Sequence, residues 1–180
     1  MTSRSSAGIV LYRRPSTGLE VLLAHPGGPL FRTRDAGHWS IPKGEPNQDE
    51  PLLEAARREF AEETGRDAPD GPVQSLGSIV QKGGKVVHAW AVEGDLDPES
   101  ARSATFDMEW PPHSGVSRSF PEIDRVDWFD RDEARRRIKP AQATLLDRLE
   151  EILGSDRSVA GGAGPFVAGR KTRGHVPSES

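Results

Sequence analysis

Residues 44–65, GEPNQDEPLLEAARREFAEETG, constrain the fold of this chain more than any other segment, and we call them the signature segment. An apolar stripe at spacings of three and four residues is typical of a helix that packs on a core. Its members are Leu53, Ala56 and Phe60. Asp49 or Glu50 is expected to begin this helix, with Pro51 in its first turn, where a missing N–H costs nothing. Gly65 suits the left-handed residue just past a helix C-terminus.

The polar side of the same helix carries three carboxylates. Glu59, Glu62 and Glu63 occupy positions i, i+3 and i+4, so they share a neighbouring face. They repel one another, and the helix dipole also disfavours anions near the C-terminal end. Hard divalent cations reverse the sign of that repulsion, because they prefer oxygen ligands and bridge to phosphates. A solvated acidic face with ordinary i,i+4 ion pairs to Arg58 is the alternative interpretation.

The identities and spacing in the signature segment resemble the Nudix box, the motif of hydrolases that cut a nucleoside diphosphate linked to another group. The matching positions are Gly44, Glu50 and residues 58–65. Arg66 departs from the pattern, since the family usually has an aliphatic residue there, but no chemical group is lost. The resemblance covers roughly residues 5–153 and implies an α/β fold, namely a Nudix-type α/β/α sandwich with a mixed central sheet.

The rest of the chain alternates strand and helix signals, in agreement with that fold. Strands are predicted at residues 7–12, 19–24, 38–41, 73–81, 85–92 and 125–129. The first two form a predicted hairpin, and the Lys82-Gly83-Gly84 turn predicts another, because glycines supply positive φ. Helices are predicted at residues 131–138, capped by Asp130, and at residues 140–153, whereas residues 94–119 are predicted to be irregular.

Composition predicts one domain with a tail. The 180 residues divide into a Nudix hydrolase domain, residues 1–153, and a Gly/Ser/Arg-rich tail, residues 154–180, which is predicted to be disordered. A net charge of −4 gives no general attraction to nucleic acid or to an anionic membrane, so stable binding to either is not expected. No stretch approaches the roughly 20 apolar residues of a membrane span. We therefore expect a cytoplasmic monomer or homodimer.

Two lysines are candidate substrate-binding residues. Lys43 directly precedes Gly44 and would act as a point charge on a substrate phosphate, as similar Pro-Lys-Gly segments of dinucleoside polyphosphate hydrolases suggest. Lys85 follows the Gly-Gly turn and could reach a distal phosphate, although a turn lysine is as often merely solvated. In the family that the segment resembles, the Gly44 carbonyl tends to be a metal ligand.

One glutamate outside the signature segment is a candidate for the catalytic site. Glu122 lies in a segment similar to the Pro-Glu-aromatic-Asp segment of RNA pyrophosphohydrolases and plant-type dinucleoside polyphosphate hydrolases. Trp128 stands six residues further on, as in those relatives, whereas Ile123 replaces the aromatic residue. The resemblance implies a metal ligand or general base opposite the signature helix. Glu109 is a weaker candidate for the same role.

Together these features predict a metal-dependent pyrophosphohydrolase that cleaves a phosphoanhydride in a nucleotide-type small molecule. Mg²⁺ or Mn²⁺ would be held by Gly44, Glu59, Glu62 and Glu63, and it would neutralise phosphate oxygens and activate a water. Arg58 would orient the helix glutamates, and Glu50 would have a similar orienting role on the loop. The general base is Glu59 or Glu122.

Substrate identity is left to the loops around the signature segment. The Lys43 and Glu122 segments favour dinucleoside polyphosphates such as diadenosine tetraphosphate. A house-cleaning (d)NTP pyrophosphohydrolase is the first alternative. A catalytically inactive nucleotide-sensing regulator is the second, although such proteins usually have eroded boxes and this one keeps all its acidic residues.

Overall fold

The computed structural model describes residues 4–160. The strands are β1 (Ser5–Arg13), β2 (Glu20–Pro26), β3 (Lys43–Gly44), β4 (Val73–Val80), β5 (Val86–Glu93), β6 (Thr105–Glu109), β7 (Ser117–Pro121) and β8 (Ile123–Asp130). The α-helices are α1 (Leu52–Thr64), α2 (Arg131–Arg137) and α3 (Ala143–Ala160). Single 3₁₀ turns lie at Pro98–Ser100 and Pro140–Gln142.

The central sheet is mixed, as predicted. Its strands follow the order β4-β5-β1-β2-β8, with β3 paired to β1. β1 and β5 run parallel, whereas the other pairs are antiparallel. Both predicted hairpins form, and Gly83 and Gly84 adopt φ values of 90° and 82° in the second one. The order of strands brings β3, and with it the signature segment, to the middle of the sheet.

Helices cover both faces of this sheet, which makes the α/β/α sandwich. Strand β1 alternates accordingly: Ile9 and Leu11 pack in the cluster that contains α1, whereas Val10 packs in the cluster that contains α2 and α3. Phe60 anchors α1 and is fully buried. Burial of such a side chain contributes about 1.5–3 kcal/mol. Leu145, from α3, anchors the opposite layer and is also fully buried.

The prediction of a strand at residues 38–41 is wrong. Trp39 and Ser40 form only isolated bridges, to Ile138 and Ala24 respectively. Regular pairing begins at β3, after Pro42, which has no N–H to donate to a ladder. The chain therefore crosses between the sheet and the α2–α3 layer before it pairs with β1.

The prediction that residues 94–119 are irregular is also wrong, because this segment contains most of a separate two-stranded sheet. Strands β6 and β7 pair antiparallel. Phe106 and Phe120 are cross-strand partners, with ring centroids 6.2 Å apart. Most side chains of both strands are exposed and polar, so their apolar periodicity is weak.

The C-terminal helix differs from its prediction at both ends. A 3₁₀ turn occupies Pro140–Gln142, and α3 then continues to Ala160, past the predicted end at residue 153. The first part of the predicted tail is thus helical, and residues 161–180 lie outside the described residues. None of the helices within residues 4–160 is long and apolar enough to cross a membrane.

Candidate active site

Helix α1 begins at a different residue from the one predicted. Its N-cap is Pro51, and no side chain caps the helix, so the capping role predicted for Asp49 or Glu50 is wrong. Asp49 instead adopts a left-handed φ of 60° in the preceding turn. The Glu50 carboxylate accepts the backbone N–H of Asn47 at 2.8 Å. Gly65 ends the helix in the left-handed conformation, with φ 71°, as predicted.

Arg58 lies at the centre of a charged network that joins the helix to the loop before it. Its guanidinium donates to both carboxylate oxygens of Glu50, at 2.9 and 3.0 Å. It also donates to Glu59 at 2.7 Å and to Glu62 at 3.1 Å. A further bond reaches the Glu45 carbonyl at 2.9 Å. Because one planar group fixes three carboxylates, their positions are set largely by Arg58.

Glu59 lies directly against the main chain of Gly44. A Cβ at residue 44 would be 2.0 Å from Glu59 Oε2, so any larger residue at this position would displace the Glu59 carboxylate. Burial raises the pKa of Glu59, and the Arg58 hydrogen bond opposes that shift. The charges of Glu62 and Glu122 raise the pKa further, which means that both carboxylates are close enough to interact with Glu59.

Glu63 is half-buried and lies against the main chain of β3. Its Oε2 accepts the backbone N–H of Lys43 at 3.0 Å. Burial is the main reason that the pKa of Glu63 is raised to about 7, although that hydrogen bond lowers it. The side chain lines a cavity of about 200 Å³ together with Arg102 and Arg125. At neutral pH this carboxyl is thus poised between its two protonation states.

Glu122 is held at the start of β8 by its own main chain. Its N–H donates to Ala104 O and its carbonyl accepts from Gly27 N, each at 2.8 Å. The side chain is exposed, and it has no hydrogen-bond or ion-pair partner within residues 4–160. Glu109, the competing candidate, instead accepts the N–H of Gly115 at 3.0 Å in the β6–β7 turn. Of the two glutamates, Glu122 is the one whose charge acts on the helix carboxylates.

The predicted substrate-binding lysines, Lys43 and Lys85, interact with each other through their charges, and a third lysine joins them. Lys85 forms an ion pair with Glu45 at 3.0 Å. Burial and then the charge of Lys139 lower the pKa of Lys43, whereas the charge of Glu63 raises it. Sequence reasoning missed Lys139, which is remote in sequence from both the signature segment and the Gly-Gly turn. The only local sequence feature at Lys139 is its position before Pro140, and a residue before proline indicates a helix boundary, not a binding site.

The chemistry of the donor set fits a hard divalent cation. The side chains here that can ligate a metal are carboxylates, and the main chain of Gly44 lies against one of them, Glu59. Within residues 4–160 no three His, Asp or Glu side chains form a ready-made cage for a metal ion. The helix carboxylates instead accept hydrogen bonds from the protein: Arg58 donates to Glu59 and Glu62, and the Lys43 N–H donates to Glu63.

Comparisons with known proteins identify the family and the fold. A sequence model of the NUDIX domain matches residues 2–149. No curated protein sequence matches the chain.

Several solved structures share the fold. A C. elegans Ap4A hydrolase in a binary complex is 21% identical, with a TM-score of 0.58 over 83% of this chain and 98% of that one. The NUDIX domain of Shewanella oneidensis NrtR, complexed with ADP ribose, is 17% identical, with a TM-score of 0.60 over 85% and 90% of the two chains. A mutT/nudix family protein from Listeria innocua is 17% identical, with a TM-score of 0.58 over 88% and 99%. At these identities the likeness establishes the fold alone.

Proposed function

The chain belongs to the Nudix family of hydrolases, which act on phosphorus-containing anhydrides and generally use a divalent metal, and we propose that it is a Mg²⁺- or Mn²⁺-dependent pyrophosphohydrolase of dinucleoside polyphosphates. The observation that carries the proposal is the set of carboxylates on α1, fixed by Arg58 and packed against Gly44, with lysines close beside them. Carboxylates serve the metal, and lysines serve the phosphates that the metal does not reach.

Glu59, Glu62 and Glu63, with the Gly44 carbonyl, would hold the cation. When bound, the cation supplies positive charge that neutralises phosphate oxygens and lowers the pKa of an attacking water. Arg58 is a positioning residue in this account, because its donors contact carboxylates and a carbonyl of this chain. Loss of Arg58 would free these carboxylates to adopt other rotamers, and the metal would then bind more weakly.

Glu122 is the better placed of the two candidates for accepting the proton of the attacking water. Glu59 already accepts a hydrogen bond from Arg58 and is one of the proposed metal ligands, so its carboxylate is engaged even though burial raises its pKa. The Glu122 carboxylate is exposed and its main chain is fixed on both sides, so it is available to a water near the helix. A positioned base of this kind contributes about 10²–10⁴-fold to the rate.

The preference for a long phosphate bridge rests on Lys43 and Lys85. A bridge of four phosphates carries charge well beyond the atoms that contact the cation. Lysines beside the signature segment would bind that remote charge, and a substrate with only two phosphates would not reach them to the same extent. The charges of Glu63 and Glu59 raise the pKa of Lys43, which supports a position for this lysine close to the proposed metal ligands.

The test is a substrate panel incubated with Mg²⁺ or with Mn²⁺ and assayed by chromatographic separation of the nucleotide products. The panel contains dinucleoside polyphosphates, canonical and oxidised NTPs, nucleotide sugars and 5′-triphosphate RNA. Lys43→Ala should lower kcat/KM for diadenosine tetraphosphate by about tenfold or more, equivalent to roughly 1.4 kcal/mol, and should affect ADP-ribose less. Lys82→Ala is the matched control, because Lys82 is an exposed lysine of the β4–β5 turn.

Two results would count against the substrate preference. Equal losses for diadenosine tetraphosphate and ADP-ribose would place Lys43 at the scissile phosphate. A dNTP that the unmodified protein hydrolyses far better than any dinucleotide would show that the enzyme is a house-cleaning pyrophosphohydrolase instead.

A further inference from the structure

A single buried polar side chain connects three segments that are far apart in sequence. Gln142 is fully buried. Its Oε1 accepts the backbone N–H of Ile41 at 3.0 Å, and its Nε2 donates to Gln81 Oε1 at 2.8 Å and to Ser40 Oγ at 3.0 Å. Buried amides are costly unless their donors and acceptors are satisfied, so this network strongly favours one arrangement of the three segments.

Each of the connected segments carries a lysine. Ile41 stands two residues before Lys43. Gln81 donates its backbone N–H to the carbonyl of Lys85 at 2.8 Å, and Gln142 donates its own to the carbonyl of Lys139 at 2.8 Å. The main chain of all three lysines is therefore set by one packed network, although Lys43, Lys85 and Lys139 come from three separate segments of the chain.

These lysines are poorly neutralised by the protein itself. Within residues 4–160 neither Lys43 nor Lys139 has a carboxylate within ion-pair distance, and the one pair that Lys85 makes is with Glu45, whose side chain is 59% exposed. Burial lowers the pKa of Lys139, the charge of Glu63 raises it, and the charge of Lys85 lowers it. Half-buried cations that repel one another are stabilised when an anion joins them.

We propose that Lys139 is a third phosphate-binding residue, which with Lys43 and Lys85 forms a three-lysine site for substrate phosphates beyond the scissile anhydride. The proposal rests on the proposed function and deepens it, because it specifies that substrates carry at least three linked phosphates. Lys43 lies next to the signature segment, so it would bind the phosphate nearest to the scissile bond. Lys85 and Lys139 would bind those further along.

A simpler role for Lys139 is to balance the charge of Glu63 without contacting substrate. The two roles differ in what they predict for an anion that lacks nucleosides. If Lys139 serves Glu63 alone, replacing it changes the protein's stability and leaves the affinity for a linear polyphosphate unaltered. If Lys139 binds phosphate, replacing it lowers the affinity for a linear polyphosphate, and the loss is larger for a long anion than for a short one.

The experiment is calorimetric titration of the purified full-length protein with inorganic tripolyphosphate, in Mg²⁺ buffer, with orthophosphate as the short probe. Lys139→Met keeps the apolar stem and removes the charge. We expect it to weaken tripolyphosphate binding by at least about tenfold, or roughly 1.4 kcal/mol, and to change orthophosphate binding much less. Lys139→Arg should retain most of the affinity. Lys82→Met, the matched control on the exposed turn, should bind as the unmodified protein does.

Wild-type affinity in Lys139→Met would overturn the proposal, as would the absence of tripolyphosphate binding by the unmodified protein. A loss of equal size in Lys82→Met would also overturn it, because the effect would then be one of general charge. Hydrolysis of the substrate panel is measured separately. Tripolyphosphate binding that depends on Lys139 in a protein that cleaves no dinucleoside polyphosphate would leave the three-lysine site standing and remove the proposed function.

Discussion

Replacing Glu63 with glutamine tests the electrostatics of the site, because burial raises the pKa of this carboxyl from its ordinary value of 4.5 to about 7. A pKa that is higher in the folded state means that folding favours the protonated form. The contribution to stability is therefore fully present below pH 4.5 and is lost as the pH rises to about 7. At about 1.4 kcal/mol per pKa unit, the total loss is roughly 3 kcal/mol.

The assay is chemical denaturation at pH 5 and pH 8.5 in buffer with EDTA. Glu63→Gln keeps an acceptor for the Lys43 N–H and removes the titration. We expect the variant to gain stability relative to the unmodified protein as the pH rises. The difference in their free energies of unfolding, variant minus unmodified, should be roughly 2–3 kcal/mol larger at pH 8.5 than at pH 5. The matched control is Glu62→Gln on the same helix, since Glu62 is 47% exposed and its surface ion pair contributes at most about 1 kcal/mol. If the free energy of unfolding of Glu63→Gln differs from that of the unmodified protein by the same amount at both pH values, the reasoning is refuted.

Three further predictions concern the site and the tail. Gly44→Ala should lower kcat by about tenfold or more with little change in Tm, because the new Cβ displaces only the flexible carboxylate end of Glu59. The control is Gly71→Ala, where a Cβ meets nothing within 4 Å. Unchanged turnover in Gly44→Ala would contradict the close approach of Gly44 and Glu59. Glu122→Gln should lower kcat by about 10²-fold while Mg²⁺ affinity, measured by titration, stays nearly constant; a large loss of Mg²⁺ affinity would make Glu122 a metal ligand instead of the base. A truncation after Ala160 should keep near wild-type hydrolysis and Tm, since residues 161–180 lack the apolar spacing to pack; loss of most activity would show that the tail contributes to the site or to an oligomer.

The features that sequence alone predicted are those that depend on spacing within one element. The positions of Phe60, Glu59 and Glu63 on one helix follow from 3.6 residues per turn, and the left-handed Gly65 follows from the need to end that helix. The hairpin around Gly83 is equally local. These predictions needed no knowledge of what packs against the helix or the turn.

The features that were missed depend on contacts between distant segments. Glu50 has the right chemistry for an N-cap, but Arg58 and the Asn47 N–H compete for its carboxylate. Lys139 joins the site only because the buried Gln142 connects its loop to two others. A single sequence does not show which buried amide will meet which loop, so neither outcome could be predicted.

The exposed β6–β7 hairpin was missed for a different reason. Phe106 and Met108 alternate with polar residues over one short strand, and the partner strand offers only Phe120 on the same pattern. Such a weak period-2 signal is easily taken for irregular chain. The hairpin matters for the site, since Glu122 begins the segment that follows β7.

The central claim, that the α1 carboxylates support metal-dependent hydrolysis, is tested most directly with Glu62→Gln. Hydrolysis of diadenosine tetraphosphate by the unmodified protein and by this variant is measured at saturating Mg²⁺ and in EDTA. We predict turnover by the unmodified protein that EDTA abolishes, and a kcat at least about 10²-fold lower in the folded variant, because a neutral amide is a poor ligand for a hard cation. Near wild-type turnover by Glu62→Gln at saturating Mg²⁺, or hydrolysis that persists in EDTA, would contradict the claim.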